Sequence, residues 1–203
     1  MNDTDGFSVA QFEQDVAGHS MVVIRDNGVE RHLRFKREGT MCMHFDLLTW
    51  PGYLCFTGDM GTYVFRRLID MFEFFRRSDA DRRYRIDLRY WAEKVEADDK
   101  WDGLRTWSAQ EFRSRVRSYF EGSTDDWTDE RKAALWDEID EQVCYFADEE
   151  MRAMVALYDF EHDGFRFTDW ESDCRVWSHR FQWCCHALAW AIDTYDKTRA
   201  SAS

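Results

Sequence analysis

The stretch from Cys174 to Tyr195 constrains the fold more than any other, because its large side chains recur at helical spacing on two opposite sides. One residue turns a helix by about 100°, which groups these side chains into two stripes. The first stripe contains Trp177, Phe181, Cys184, Leu188, Ile192 and Tyr195, and the second contains His179, Trp183, His186 and Trp190. A helix with bulky groups on both sides buries them only when it lies between two layers. We therefore predict that this segment is the central helix of the core.

The first third of the chain is predicted to be an antiparallel sheet, over residues 18–65, because short apolar runs alternate there with turn signals. Asn27-Gly28 is typical of a tight hairpin turn, since both residues tolerate positive φ angles. Pro51-Gly52 and the segment 58–61 mark two further turns. These signals predict a meander of four or five strands.

From Arg66 onward the apolar period changes from two to about 3.6 residues, so residues 66–203 are predicted to be mainly helical. Apolar spacing predicts helices over residues 68–75, 88–95, 112–120, 128–146 and 151–160. Asp87 is the expected N-cap of the second helix, and Ser108 with Glu111 has the spacing of a capping box. Strands followed by helices predict an α+β fold, an antiparallel β-meander with a helical layer around the C-terminal helix.

We expect a single domain over residues 1–203, because no run rich in proline, serine or glycine separates two halves. The first residues lack the basic and apolar regions of a signal peptide, and no apolar stretch approaches the roughly 18 residues of a membrane span. A cytoplasmic protein with no membrane partner is therefore expected. The six cysteines lie partly within apolar patterns, which favours reduced, buried thiols.

Several sequence blocks resemble a known group of proteins over most of the chain. These blocks are FDLLTWPGYLC (45–55), TGDMGTYVF (57–65), FQWCC (181–185) and AW (189–190). With them the chain resembles a group of small acidic proteins encoded by bacteriophages and prophages. The resemblance implies a bacterial cytoplasm and a phage setting, and it implies no catalytic residues.

The net charge of −13 is concentrated in one part of the chain. Residues 125–163 hold fourteen acidic side chains against three basic ones, Arg131, Lys132 and Arg152, which gives 3 − 14 = −11. Such an imbalance makes the molecule electrically polar.

The predicted helix that begins at Thr128 places its carboxylates opposite its apolar side chains. Glu130, Asp137, Glu141 and Asp148 fall within about 20° of one line along such a helix. The candidate partner-binding residues are Asp125, Asp126, Asp129, Glu130, Asp137, Glu138, Glu141, Asp148, Glu149 and Glu150. A row of carboxylates on a rigid helix imitates the negative face of a nucleic acid and fits a positively charged groove. The alternative is an ordinary solvated helix face.

Direct nucleic-acid binding is not expected, because the net charge has the wrong sign. Three arginine groups nevertheless leave a local basic patch as an alternative. They are Arg76-Arg77, Arg82-Arg83-Arg85-Arg89 and Arg113-Arg115-Arg117.

The predicted sheet offers an alternative site for chemistry. Cys42, His44 and Cys55 can share a face of neighbouring strands, although zinc takes a fourth ligand and the sequence has no Cys-x-x-Cys. Asp46 and Asp59 form a candidate acid–base pair only if the fold brings them within reach. We expect no metal, no cofactor and no catalytic residue.

The leading functional hypothesis is a phage-encoded interaction protein that inhibits a host factor. Its partner is expected to be a host protein or ribonucleoprotein with a basic groove, such as CRISPR or restriction machinery. The alternatives are a small enzyme or ligand-binding domain with its site on the sheet, and a phage structural or assembly protein that associates with itself.

Overall fold

The computed structural model describes residues 7–76 and 86–202. Contacts between residues divide the chain into two compact units. Unit 1 comprises Met1–Arg105 and Trp177–Ser203, and unit 2 comprises Thr106–Val176. The expectation of a single domain stays a prediction, because compactness alone does not show whether two units unfold together.

The predicted α+β fold is confirmed, and its sheet lies in unit 1. Six antiparallel strands follow one another in chain order across this sheet. They are β1 (His19–Asn27), β2 (Glu30–Arg37), β3 (Phe45–Trp50), β4 (Tyr53–Gly58), β5 (Gly61–Arg66) and β6 (Val95–Ala97). Alternate residues such as Leu33, Phe35 and Phe45 are fully buried on one face, as a half-exposed sheet requires.

The sixth strand corrects the predicted sheet boundary at residue 65. Val95 was predicted to be helical with Leu88 and Trp91, but the third helix of the chain ends at Ala92 and Val95 pairs with Phe65. A strand of three residues is too short to show a readable alternation, and its apolar position coincides with helical spacing.

The turns between the strands follow the glycine signals. Gly28 has a φ of +63° in the first hairpin, and Gly61 has a φ of +109° at the start of β5. A Cβ atom on Gly58 would lie 2.2 Å from the carbonyl oxygen of His44, so the close approach of these two backbones requires glycine. The segment 58–61 is therefore a hairpin turn.

The described residues of unit 1 form four helices: α1 (Val9–Val16), α2 (Met71–Phe75), α3 (Leu88–Ala92) and α7 (His179–Ala202). Asp87 caps α3 as predicted, accepting a hydrogen bond from the N–H of Tyr90 at 2.9 Å. The C-terminal helix begins five residues later than its apolar spacing suggests. Trp177 lies in a short strand instead, and the hydroxyl of Ser178 accepts a hydrogen bond from the N–H of Phe181 at 3.2 Å at the helix start.

The C-terminal helix α7 has the predicted central position within unit 1. The indole of Trp183 packs edge-on against Phe45 of the sheet, with 5.7 Å between ring centres, and against Phe12 of α1 at 5.4 Å. Phe181 and Leu188 are fully buried as well. The helix therefore lies between the sheet and α1, which explains why both of its sides are apolar.

Unit 2 is a small helical unit with its own buried cluster. It contains α4 (Ala109–Ser123), α5 (Asp129–Gln142), a 3-10 turn (Cys144–Phe146) and α6 (Glu150–Asp159). Two short pairs of strands complete the fold, β7 (Arg105–Trp107) with β10 (Arg175–Trp177) and β8 (Glu161–His162) with β9 (Phe165–Arg166). Phe112, Leu135, Ile139 and Leu157 lie in the buried cluster of this unit.

All six cysteines are free thiols, as expected. Cys144, Cys174, Cys184 and Cys185 are buried, but Cys42 is exposed and Cys55 is half-buried. The expectation of burial was wrong for Cys42, because it lies in the connection before β3 and not in a strand.

Candidate protein-binding site

Helix α5 carries five of the ten predicted partner-binding residues. Leu135 and Ile139 are buried on one side, and the carboxylates of Glu130, Asp137 and Glu141 are exposed on the opposite side. We define the acidic face of α5 as Asp129, Glu130, Asp137, Glu138, Asp140 and Glu141. The buried pair fixes the rotation of the helix, so the direction in which the acidic face points is set by the core of unit 2.

The cations closest in sequence to the acidic face are engaged elsewhere. The guanidinium of Arg131 lies 3.4 Å from the ring centre of Trp127, and its Nε donates a hydrogen bond to Asp163 at 2.5 Å. The ammonium of Lys132 donates to the carbonyl oxygen of Asp125 at 3.4 Å. Within residues 7–76 and 86–202, no ion pair joins Glu130, Asp137 or Glu141 to a basic side chain. The carboxylates at the centre of the acidic face are therefore not compensated by a described ion pair.

A groove of about 520 Å³ lies beside the acidic face, between α4 and α5. Asp125, Asp129 and Asp137 line it, together with Glu121 of α4 and the ring of Trp136. These residues place one edge of the acidic face against a concave surface.

Arg117 shows which kind of group this groove accommodates. Its guanidinium lies 4.2 Å from the ring centre of Trp136, and its Nε donates to a carboxylate oxygen of Glu121 at 2.7 Å. A guanidinium placed on an aromatic ring and bonded to a carboxylate is a favourable arrangement for arginine. Sequence analysis considered Arg117 only as part of a basic patch and did not select Glu121 or Trp136, although the four-residue spacing of Arg117 and Glu121 is a readable signal.

Three of the predicted partner-binding residues lie beyond the end of α5. Helix α5 ends at Gln142, so Asp148 was wrongly placed on its line, and Glu149 and Glu150 lie at the start of α6. Their carboxylates are each close to an arginine, with Arg113 3.9 Å from Asp148, Arg152 2.9 Å from Glu149 and Arg175 2.8 Å from Glu150. The helical period was extended across a 3-10 turn, and the ion pairs of Arg113 and Arg175 join segments that are distant in sequence.

Asp125 and Asp126 lie just before α5, where the chain connects it to α4. Both are exposed, and Thr128 follows as the N-cap, its hydroxyl accepting from the N–H of Arg131 at 3.4 Å. They extend the negative surface beyond the first turn of the helix. Seven of the ten predicted residues therefore lie on or next to α5.

The alternative site on the sheet is divided between two separate clusters. Asp46 lies on the outer face of β3, where it accepts two hydrogen bonds from Arg34 at 2.8 Å each and lies 2.7 Å from Nε2 of His32. Burial raises the pKa of Asp46, but the hydrogen bonds from Arg34 and His32 outweigh this effect and hold the pKa below its usual value. A carboxylate that binds a proton so weakly is a poor general base.

Asp59 belongs to the second cluster, at the turn between β4 and β5. Its carboxylate accepts from the N–H of Met43 at 2.7 Å and lies 3.4 Å from Nδ1 of His44. Cys55 lies on β4, where burial raises the pKa of its thiol. Among the described residues, no group of three His, Cys, Asp or Glu side chains is arranged to hold a metal ion. Cys42, His44 and Cys55 therefore do not form the zinc site considered from sequence.

The arginine groups considered as a basic patch are mostly engaged or undescribed. Arg77, Arg82, Arg83 and Arg85 lie outside the described residues. Arg76 forms a bidentate pair with Asp196 at 2.7 and 2.9 Å, and Arg115 and Arg117 each bind a glutamate on α4 at 2.7 Å. These pairs reduce the positive charge that a nucleic acid would meet.

Comparison with known proteins does not assign the chain to a family. A scan against protein-family models, a search of curated proteins and a search of solved structures each found no match. Of the helices within the described residues, none has the length and apolar character needed to cross a membrane.

Proposed function

We propose that the protein is an acidic interaction protein, encoded by a phage and acting in the bacterial cytoplasm, that inhibits a host nucleic-acid-binding defence system. Its acidic face would occupy arginine and lysine side chains that otherwise bind DNA or RNA. The observation that supports this proposal is the exposed acidic face of α5, whose central carboxylates Glu130, Asp137 and Glu141 have no described basic partner.

The spacing of the carboxylates supports nucleic-acid mimicry. From Asp129 to Glu141 the helix rises about 18 Å, at roughly 1.5 Å per residue. The acidic face carries six carboxylates over this length, or about one per 3 Å. One strand of B-DNA carries a phosphate charge about every 3.4 Å along its axis, which is similar. A basic groove of a partner protein that binds one DNA strand would therefore meet a comparable density of negative charge on the acidic face.

The side-chain pairs along α5 also support nucleic-acid mimicry. Asp137 and Glu141 are four residues apart and of like charge, which destabilises an isolated helix slightly. No lysine or arginine follows Glu130, Asp137 or Glu138 at the fourth position, where a cation would stabilise the helix. At Asp137 and Glu141 the sequence of α5 therefore favours surface charge over helix stability.

A displacement assay tests this proposal. Bacterial lysate is bound to immobilised DNA, or to immobilised RNA, and eluted with the purified protein at low salt. We expect the protein to release a small set of nucleic-acid-binding proteins, identified by mass spectrometry. The triple variant Glu130→Gln, Asp137→Asn, Glu141→Gln should release none of them. Release of nothing by the unmodified protein, or equal release by the triple variant, would overturn the proposal.

A further inference from the structure

Helix α6 carries apolar side chains on two opposite sides, and only one side is buried. Ala153 and Leu157 are fully buried in unit 2. Met151, Val155 and Tyr158 fall within about 60° of one another on the opposite side. Their exposed fractions are 77%, 52% and 59%, respectively. An ordinary surface helix has polar residues at such positions.

The exposed apolar surface continues into the 3-10 turn before α6. Tyr145 is 73% exposed there, and its ring lies edge-on against Phe146, with 5.1 Å between ring centres. A depression of about 300 Å³ is lined by Phe146, Met151, Val155, Arg152 and Ala156. We define the α6 stripe as Tyr145, Met151, Val155 and Tyr158. Contiguous apolar surface of this kind marks an interaction site more often than single exposed apolar residues do.

Ion pairs and the end of the acidic face adjoin the α6 stripe. Asp148, Glu149 and Glu150 pair with Arg113, Arg152 and Arg175 at 3.9, 2.9 and 2.8 Å, respectively. Arg152 also lines the depression, with its guanidinium 4.5 Å from the ring centre of Phe146. The chain reaches Tyr145 only four residues after Glu141, the last residue of the acidic face. Paired charges therefore adjoin the apolar centre, and the acidic face precedes it along the chain.

We propose that the α6 stripe binds a cationic amphipathic helix of the partner, an inference that rests on the proposed function and adds its apolar contact. The apolar side chains of such a helix would cover Met151, Val155 and Tyr158, which are spaced for contact with a helix. Its basic side chains would meet Asp140 and Glu141. A second copy of the chain is a poorer occupant, because each copy carries a net charge of −13 and would bring a like-charged edge to the contact.

The test uses synthetic peptides of known composition and the full chain. The first peptide, about 18 residues long, has leucines on one helical face and lysines on the other. The second has the same composition in scrambled order, and the third replaces leucine with serine. Binding is measured by fluorescence anisotropy with labelled peptides. We expect the amphipathic peptide to bind about tenfold more tightly than either control peptide.

Variants locate the binding site. Met151→Ser, Val155→Ser and Tyr158→Ser together should remove the preference for the amphipathic peptide, and circular dichroism should show an unchanged helix content. The matched control combines Val22→Ser, Ile24→Ser and Ile69→Ser, at positions of unit 1 that are 44%, 50% and 70% exposed. It should keep the preference. An equal affinity for the amphipathic and scrambled peptides, or a preference that survives in the stripe variant, would overturn the inference.

The charge variant separates this inference from the proposed function. The combined substitutions Glu130→Gln, Asp137→Asn and Glu141→Gln should lower the affinity for all three peptides by a similar factor. The preference for the amphipathic peptide should stay intact. If these substitutions change no affinity while the preference persists, the proposed function fails and the α6 stripe still binds. If the protein forms a dimer that the stripe variant abolishes, the occupant is a second copy and the inference is wrong.

Discussion

Asp46 and His186 are two residues whose titration is controlled by their surroundings. Asp46 is 7% exposed and is bonded to Arg34 and His32, whereas His186 is 8% exposed and lies beside two phenylalanine rings. The first environment favours the charged form of the side chain, and the second favours the neutral form. Both shifts lead to predictions about stability at acidic pH.

Replacing Asp46 by Asn should destabilise the protein by about 1–3 kcal/mol at neutral pH, since Arg34 and His32 lose a charged acceptor. Folding lowers the pKa of Asp46, so its stabilisation is complete above the unfolded pKa of about 3.9 and is lost as pH falls through the folded value. Urea unfolding at pH 7 and near pH 3 should show a difference between the two proteins that shrinks in acid. A constant difference would contradict the role of the ionised carboxylate.

For His186 we predict a loss of stability that begins at a higher pH than the loss caused by Asp46. Burial lowers the pKa of His186 to about 4, and its ring centre lies 4.7 Å from that of Phe7. The unfolded chain takes up a proton below about pH 6.5, but the folded chain does so only near pH 4. The folded state should therefore lose roughly 2 kcal/mol between pH 7 and pH 5 because of this residue.

His186→Phe keeps an aromatic ring in place and removes the titrating group. Urea unfolding at the two pH values should show a smaller loss of stability in this variant than in the unmodified protein. An identical loss in both proteins would show that folding does not lower the pKa of His186.

Secondary-structure elements were predicted well from sequence where their signal is local. The glycine turns and the apolar period of α7 identified the sheet and the central helix, because each signal reflects short-range geometry. Strand β6 and the end of α5 were mispredicted, since their boundaries depend on pairing with Phe65 and on a 3-10 turn. The cross-strand pair of Arg34 with Asp46 depends on register, which sequence spacing does not reveal.

The N-cap of α4 is an element-level prediction that the structure confirms. The hydroxyl of Ser108 accepts a hydrogen bond from the N–H of Glu111 at 3.1 Å. Ser108→Ala should lower the free energy of unfolding by about 1 kcal/mol, and Ser108→Gly should lower it by only a few tenths. Equal urea midpoints for Ser108→Ala and the unmodified protein would show that the cap contributes little.

For the acidic face we predict that a single substitution raises stability and weakens binding. Glu141→Lys places a cation four residues after Asp137 and removes a like-charge pair, so the urea midpoint should rise slightly at low salt. The same substitution should reduce displacement of proteins from immobilised DNA. A fall in stability, or displacement that is unchanged, would contradict this account of α5.

At the scale of the whole molecule, the two units contain separate buried clusters. The cluster of unit 1 is built around α7 and the sheet, and that of unit 2 around α4, α5 and α6. No glycine- or proline-rich linker marks the boundary, which explains why composition predicted a single domain. The net charge is unevenly distributed along the chain, since residues 125–163 carry −11 of the net −13.

Hydrogen exchange can decide whether the units unfold together. Leu157 is fully buried in unit 2, and Leu157→Ala should cost about 2–5 kcal/mol. If the units unfold separately, amides of α4 to α6 lose protection by this amount and amides of β2 to β4 do not. A uniform loss of protection would establish the single domain predicted from sequence.

The measurement that tests the central claim most directly compares two variants of equal net charge in the DNA-displacement assay. Glu130→Gln, Asp137→Asn and Glu141→Gln remove three charges from the acidic face. Glu38→Gln, Glu96→Gln and Glu171→Gln remove three exposed charges elsewhere, so both variants have a net charge of −13 + 3 = −10. We predict that the first variant loses displacement and the second keeps it, with the effect weakening at high salt. Equal displacement by the two variants would show that overall charge, and not the acidic face of α5, determines binding.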